Sequence, residues 1–240
     1  ELVLRSDDAC HVEGSASFGE ISIQPLRKPV RRDEEQLGYI VFTSGTTGEP
    51  KGVMVSCGAL AHYLEQTRLW TNLTAKDRIA EAHDVTFDLS VHNMFLAWRA
   101  GASLHLMSPL DMMMPQAFVR KHEISVWMSV PTIVNNMRRS GALKPGLFPS
   151  LRLSIFCGEP LAVSTVQDWA AAAPNSVVEN IYGPTEGTVV CMRQRLTDPP
   201  VVTQKRRILA IGRAYENFCI AICDPEGNRL TDGEVGEIVL

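Results

Sequence analysis

From Gly38 onward the chain alternates short apolar runs of strand type with segments of helical spacing, and that rhythm limits the folds open to it. The run GYIVFTS ends in a glycine-rich loop. SCGALAHYLEQTRLW then has helical spacing to about Trp70, and the polar break TNLTAKD leads to a short strand at Arg78 to Ala82. Asp88 to Ala100 predicts a helix stopped by Gly101. ASLHLMS follows as a strand, PQAFVRKHE as a helix and ISVWMSVPT as a strand closed by proline. NNMRRSG is helical from Ile133, LRLSIFCG a strand, LAVSTVQDWAAAAP a helix and VVENIYG a strand. Such alternation predicts an α/β fold, mostly parallel sheets with flanking helices, whose ligands sit at the carboxyl ends of the strands.

The two ends depart from this rhythm. The first 38 residues are polar and irregular. After the proline-bearing loop TDPPVVTQ, NFCIAICDPEGNRL and GEVGEIVL predict antiparallel strands with a DPEGN turn. The expected division is an α/β core over residues 1–207 and the start of a small β-rich subdomain over 208–240.

Charge and cysteine content remove several classes of function. The net charge of −4 is spread over interspersed acids and bases, so no one-signed field marks a nucleic-acid or membrane partner. Lys205, Arg206 and Arg207 form the one basic cluster, which is short enough to be a solvated loop. The six cysteines form no CxxC pair and the six histidines no HxxxH or HExxH group, so neither a zinc site nor a disulfide framework is expected. Cys219 and Cys223 share one side of a strand-like run. No signal peptide or apolar run of membrane-spanning length is present, and a reducing, cytoplasmic setting is expected.

The first chemical landmark is Thr43, Ser44, Gly45, Thr46, Thr47, Gly48, Glu49, Pro50, Lys51 and Gly52. Glycines admit backbone N–H groups to an anion, hydroxyls add donors and Lys51 adds charge, a set suited to a triphosphate. It is not a Walker A loop, since GxxxxGK[ST] cannot be placed on it. Taken alone, the same residues also suit a flexible surface turn.

The whole stretch YIVFTSGTTGEPKGV, followed in order by Phe87-Asp88-Leu89-Ser90 and by Asn180-Ile181-Tyr182-Gly183-Pro184-Thr185-Glu186, closely resembles the adenylate-forming superfamily. That superfamily contains acyl-CoA synthetases, luciferases and the amino-acid adenylation domains of nonribosomal peptide synthetases. The resemblance implies a ligase that uses ATP and Mg2+ to turn an amino acid into its adenylate, releasing pyrophosphate, for transfer to a phosphopantetheinylated carrier protein. It implies that Tyr182 stacks on adenine, that Asn180 reads its edge, and that Gly158, Glu159 and Pro160 line the other side of the base, with Gly183 beside them. Thr185 would contact the α-phosphate, Glu186 would hold magnesium and Lys51 would meet phosphate.

Asp88 would pair with the substrate's α-ammonium, the bland alternative being a helix N-cap. By the same resemblance Leu89, His92, Met128, Ile155, Cys157, Ile181, Val189 and Val190 would line a side-chain pocket for a small or medium apolar amino acid. Taken singly, His92 could equally be a surface histidine and Cys157 an ordinary buried thiol. FDLSVHNMF and IFCGEPL resemble D-alanine-activating enzymes of cell-wall modification, which favours an alanine-like substrate.

The similarity runs from about Gly38 to Leu240, roughly half or less of the family's adenylating unit. The expectation is a truncated core lacking the C-terminal mobile domain with its catalytic lysine and the ribose-binding aspartate. Ala214 stands where a proline is more usual, and TQKRRILA is atypical for the family. The rival readings are an acyl- or aryl-CoA synthetase and a nucleotide-binding core without turnover.

Overall fold

The computed structural model describes residues 3–5, 15–17, 31–44, 48–203, 205–216 and 218–240. The chain divides into two units, Glu1–Arg32 and Asp33–Leu240. In the first, β1 (Val3–Arg5) and β2 (Ser15–Ser17) pair in parallel.

The second unit begins with a hairpin, β3 (Leu37–Ser44) and β4 (Pro50–Ser56), antiparallel from Tyr39 opposite Val55 to Ser44 opposite Pro50. The sequence reading placed residues 50–52 in the loop and missed β4, because PKGVMVS opens with a proline and a glycine that both punctuate strands. Ser56 then starts α1 (Cys57–Thr71) by accepting a hydrogen bond from the Ala59 N–H at 3.2 Å. The chain continues through β5 (Arg78–Glu81), α2 (Leu89–Ala100), β6 (Ser103–Leu106), α3 (Pro109–Met113), α4 (Pro115–Lys121) and β7 (Val126–Ser129). Next come α5 (Pro131–Arg139), β8 (Leu153–Phe156), α6 (Val163–Ala172), β9 (Val177–Tyr182) and a single 3-10 turn at Thr185–Gly187. Last are β10 (Met192–Arg195), β11 (Arg213–Ala214), β12 (Ala221–Cys223) and β13 (Glu237–Val239).

Seven strands make one sheet in the order β11-β10-β9-β8-β7-β5-β6. From β9 to β6 every pairing is parallel, as the alternation predicts, while β10 and β11 add an antiparallel edge. β12 and β13 pair antiparallel in a sheet of their own, and after β12 the chain turns back at Asp224, whose carboxylate accepts from the N–H of Asn228 at 2.8 Å, to bring Arg229 opposite Cys223.

Side chains leave the strands alternately, which divides the core in two. Met128, Ile155 and Ile181 point to a first cluster with Leu60, Tyr63 and Leu64 of α1 and Leu89, Val91 and Leu96 of α2. Trp127, Phe156 and Val178 point to a second with Phe118, Val134, Val166 and Trp169 from α4, α5 and α6.

The amino ends of the parallel strands are tied by one charged network. Asp77, 4% exposed, accepts from Arg152 Nε at 2.7 Å and Nη2 at 2.6 Å, from Ser125 Oγ at 2.8 Å and from the Thr74 N–H at 2.8 Å. Burial alone would push its carboxyl up, but these donors hold it down at about 2. One end of the sheet is thus locked, and the carboxyl ends carry the chemistry-bearing residues.

Candidate active site

At the carboxyl ends of β8 and β9, six of the expected nucleotide residues converge. Gly158, Glu159, Pro160, Asn180, Tyr182 and Gly183 line one cavity of about 290 Å³, with Cys157, Leu161, Ile181, Ile208, Leu209 and Ile211. Gly158 sits at φ 83°, where a side chain is disfavoured, so the chain leaves β8 in a bend that glycine permits. A Cβ on Gly183 would overlap the backbone of Val190, so this glycine lets the segment after Glu186 return across the end of β9. Tyr182 is 37% exposed and presents its ring to the cavity region.

Two of these residues have structural partners that the sequence did not disclose. Asn180 donates from Nδ2 to the Ala210 carbonyl at 3.0 Å, which leaves its Oδ1 as an acceptor suited to an exocyclic amino group. Glu159 accepts from both the N–H and Oγ1 of Thr132, at 2.9 and 2.6 Å, so its side chain holds the start of α5. Sequence reasoning missed Ile208, Leu209 and Ile211 as cavity walls. The apolar run ILAI was their only signal, and it was read as the opening of the β-rich region.

The phosphate-loop residues fall on the hairpin. Thr43 and Ser44 end β3, Lys51 lies on β4 opposite Thr43, and Gly48 takes φ 86°. Gly45, Thr46 and Thr47 lie outside the described residues. The expected loop over 43–52 is therefore shorter, since the ladder persists to Ser44 and Pro50. β4 packs against the turn that carries Thr185 and Glu186, which brings the Lys51 strand to the same neighbourhood.

Asp88 is the electrostatic anomaly of the site. It stands at the N-cap position of α2, yet its backbone is helical, at φ −68° and ψ −13°, and its side chain caps nothing. The carboxyl is 8% exposed, and Oδ2 is buried without a hydrogen-bond partner. Burial pushes its pKa up; the nearby Thr185 hydroxyl offsets part of this, and the Glu186 carboxylate adds like charge. A buried acid with an unpaired oxygen is costly to the fold unless a donor arrives from outside.

The remaining acid-pocket residues lie on the first cluster. Leu89, Met128, Ile155, Cys157, Ile181, Val189 and Val190 are all buried within it. His92 is 2% exposed, so it is no surface histidine. Its Nδ1 meets the Tyr63 hydroxyl at 2.5 Å, and burial drives its pKa down to about 3, leaving the ring neutral. The Cys157 thiol is pushed up to about 12 by burial and stays protonated. Tyr39, whose hydroxyl is buried and unpaired, feels the Asp88 charge and joins this neighbourhood, as does Tyr63. Tyr39 opens the YIVFTSGTTGEPKGV stretch but had no role assigned, and Tyr63 carried no signal beyond its place in a helical segment.

The wall formed by Val189 is strained. Thr188 and Val189 take φ of 61° and 68°, and the Val190 N–H closes a three-residue turn onto the Thr188 carbonyl at 2.9 Å. For a β-branched residue this backbone is an outlier.

Comparison with known proteins bears on the family and the fold. Residues 2–240 match a family described as AMP-binding enzyme. An L-proline--[L-prolyl-carrier protein] ligase of Pseudomonas fluorescens is 33% identical over 95% of this chain and 44% of its own length. A D-alanine--D-alanyl carrier protein ligase of Bacillus velezensis is 31% identical over 84% of this chain and 40% of its own. The solved Vibrio cholerae adenylation domain AlmE, in complex with glycyl-adenosine-5'-phosphate, superposes with a TM-score of 0.79 at 36% identity. That match covers 86% of this chain and 39% of AlmE. The chain thus spans less than half the length of these relatives.

Proposed function

Because the chain belongs to the AMP-binding enzyme family, we propose that it is the part of an amino-acid adenylating ligase that binds ATP and the amino acid. The protein containing it converts a small or medium apolar α-amino acid to aminoacyl-AMP, with release of pyrophosphate, for loading onto the phosphopantetheine thiol of a carrier protein. The observation that carries this reading is the buried Asp88 carboxylate, whose Oδ2 has no hydrogen-bond partner, beside the nucleotide-site turn. An α-ammonium supplies the missing donor and charge at once, and a charge-assisted contact of this kind favours amino acids over acids that lack the ammonium.

The assigned roles follow from position. Tyr182 offers a stacking face, and Asn180 offers Oδ1 to the adenine amino group. Thr43, Ser44, Lys51 and the residues between them receive the phosphates. With Asp88 holding the ammonium, the substrate carboxylate faces Thr185 and Glu186 on the adjoining turn. One carboxylate oxygen bonds to the α-phosphorus, and the bond from that phosphorus to the bridging oxygen breaks as pyrophosphate leaves. Two anions must approach, so positioning and charge neutralisation are the site's main tasks.

The donor set fits magnesium. Glu186 is an exposed carboxylate beside a threonine, and this ion commonly takes one or two protein carboxylates together with phosphate oxygens and water. When bound, it would neutralise phosphate charge.

Among the described residues no helix is long and apolar enough to cross a membrane, and Cys57, Cys157, Cys191, Cys219 and Cys223 are free thiols. Free thiols suit a cytoplasmic setting.

ATP–pyrophosphate exchange by a protein containing this chain, against a panel of amino acids, aryl acids and fatty acids, tests the reading. Exchange with one small α-amino acid is the expected result. Exchange only with acids lacking an α-ammonium would move the protein to the acyl-CoA synthetase branch.

A further inference from the structure

The antiparallel edge of the large sheet carries a second charged site, whose own lining residues have been given no role above. Arg193 and Arg195 lie two apart on β10, so both side chains leave the same face. That face also bears Glu179 of β9, directly opposite Arg195 in the ladder. The Glu179 carboxylate is fully buried, and its Oε1 accepts from Arg195 Nε at 2.8 Å and from Arg193 Nη1 at 3.2 Å. One buried acid therefore holds two guanidiniums in place while part of each stays exposed. Arg213 of β11 stands opposite Arg193 and, among the described residues, has no carboxylate partner.

These three arginines, with Gln194 and Ala214, line a cavity of about 510 Å³. A smaller one of about 210 Å³ shares Arg193 and Ala214 and continues to Trp70, Tyr215 and Glu216. There the Arg193 guanidinium stacks 5.3 Å from the centre of the Trp70 ring, which fixes its orientation further. The indole N–H of Trp70 and the hydroxyl of Tyr215 are both buried without a hydrogen-bond partner; they lie near one another without bonding geometry. Glu179 Oε2 is also buried without a partner, so the acid faces the arginines alone, and the unpaired donors of Trp70 and Tyr215 beside the ordered guanidiniums suit a ligand rich in acceptors.

We propose that this groove binds a phosphate group. Three guanidiniums against the Glu179 carboxylate leave two positive charges at the larger cavity, which matches a phosphate of about −1.5 to −2 near neutral pH. The fork of N–H groups on each arginine suits its tetrahedral oxygens. The groove lies on the Ile181 face of β9, at the edge of the first cluster, whereas Asn180 and Tyr182 leave by the other face.

The test is a titration of inorganic phosphate into the full 240-residue chain labelled with 15N at arginine and tryptophan, followed by NMR at fixed ionic strength. A parallel titration with methyl phosphate separates a phosphoryl group on an organic ligand from the free ion. The arginine Nε signals of residues 193, 195 and 213 and the Trp70 indole signal should move on one saturation curve that sodium chloride does not reproduce. R213Q should weaken binding at least tenfold, and Y215F several-fold, with thermal unfolding unchanged for R213Q. If R213Q unfolds the chain, R195Q gives the same readout. Signals that move equally with chloride, or an affinity indifferent to both arginine variants, would overturn the proposal.

Discussion

The two faces of the sheet are built from the same strands but treat their polar atoms differently. On the second cluster, Trp127 donates to Ser129 at 2.9 Å, and Trp127, Phe148 and Phe156 surround Trp169 with ring centres 5.2 to 5.8 Å away. Among the described residues, one unpaired buried atom, Trp169 Nε1, lies here. On the first cluster's face, Tyr39 Oη, Trp70 Nε1, Asp88 Oδ2, Glu179 Oε2 and Tyr215 Oη are all buried and unpaired. Each such atom costs about 1–3 kcal/mol while it stays unpaired. One face therefore holds the fold together, and the other keeps its polar atoms for ligands.

This contrast can be broken by substitution. Trp169→Ala should cost about 4 kcal/mol of stability, the usual loss for a fully buried aromatic, as read by urea denaturation. Asp77→Asn should cost about 3 kcal/mol at neutral pH, because it weakens the Arg152 pairing at the locked end. Asp88→Ala should do the reverse, leaving stability level or raised while amino-acid-dependent exchange falls roughly tenfold to a hundredfold, the worth of one charged hydrogen bond. A loss of folding in that variant would show Asp88 to be structural.

Acid separates the regions further. The folded pKa of His92 is depressed to about 3, so from about pH 6.5 downward the unfolded chain binds a proton that the folded chain refuses. Stability should fall by up to about 1.4 kcal/mol per pH unit there, and His92→Asn should flatten that slope. The Asp77 contribution, present above about pH 4, should fade as pH drops toward 2. Unfolding midpoints at stepped pH would resolve the two windows.

The parallel core was legible because its strands and helices have distinct periods and clean stops, such as Gly101, which caps α2 in the left-handed conformation. β4 was not, since its signal is split by the glycine and proline of the phosphate loop. Among site residues, those on contiguous motifs could be named in advance. Tyr63, which meets His92 from a helix 29 residues earlier, could not, because tertiary packing alone makes that pairing. Ile208, Leu209 and Ile211 were likewise hidden, since a chain returning to cover a cavity leaves only an ordinary apolar run.

The left-handed turn at Thr188 and Val189 sets backbone comfort against side-chain bulk. Backbone strain of this kind costs about 1–3 kcal/mol per residue, and glycine at 189 would relieve it. Glycine there would be the more robust choice for the backbone, and valine instead places a bulky wall in the first cluster, trading robustness for a defined shape.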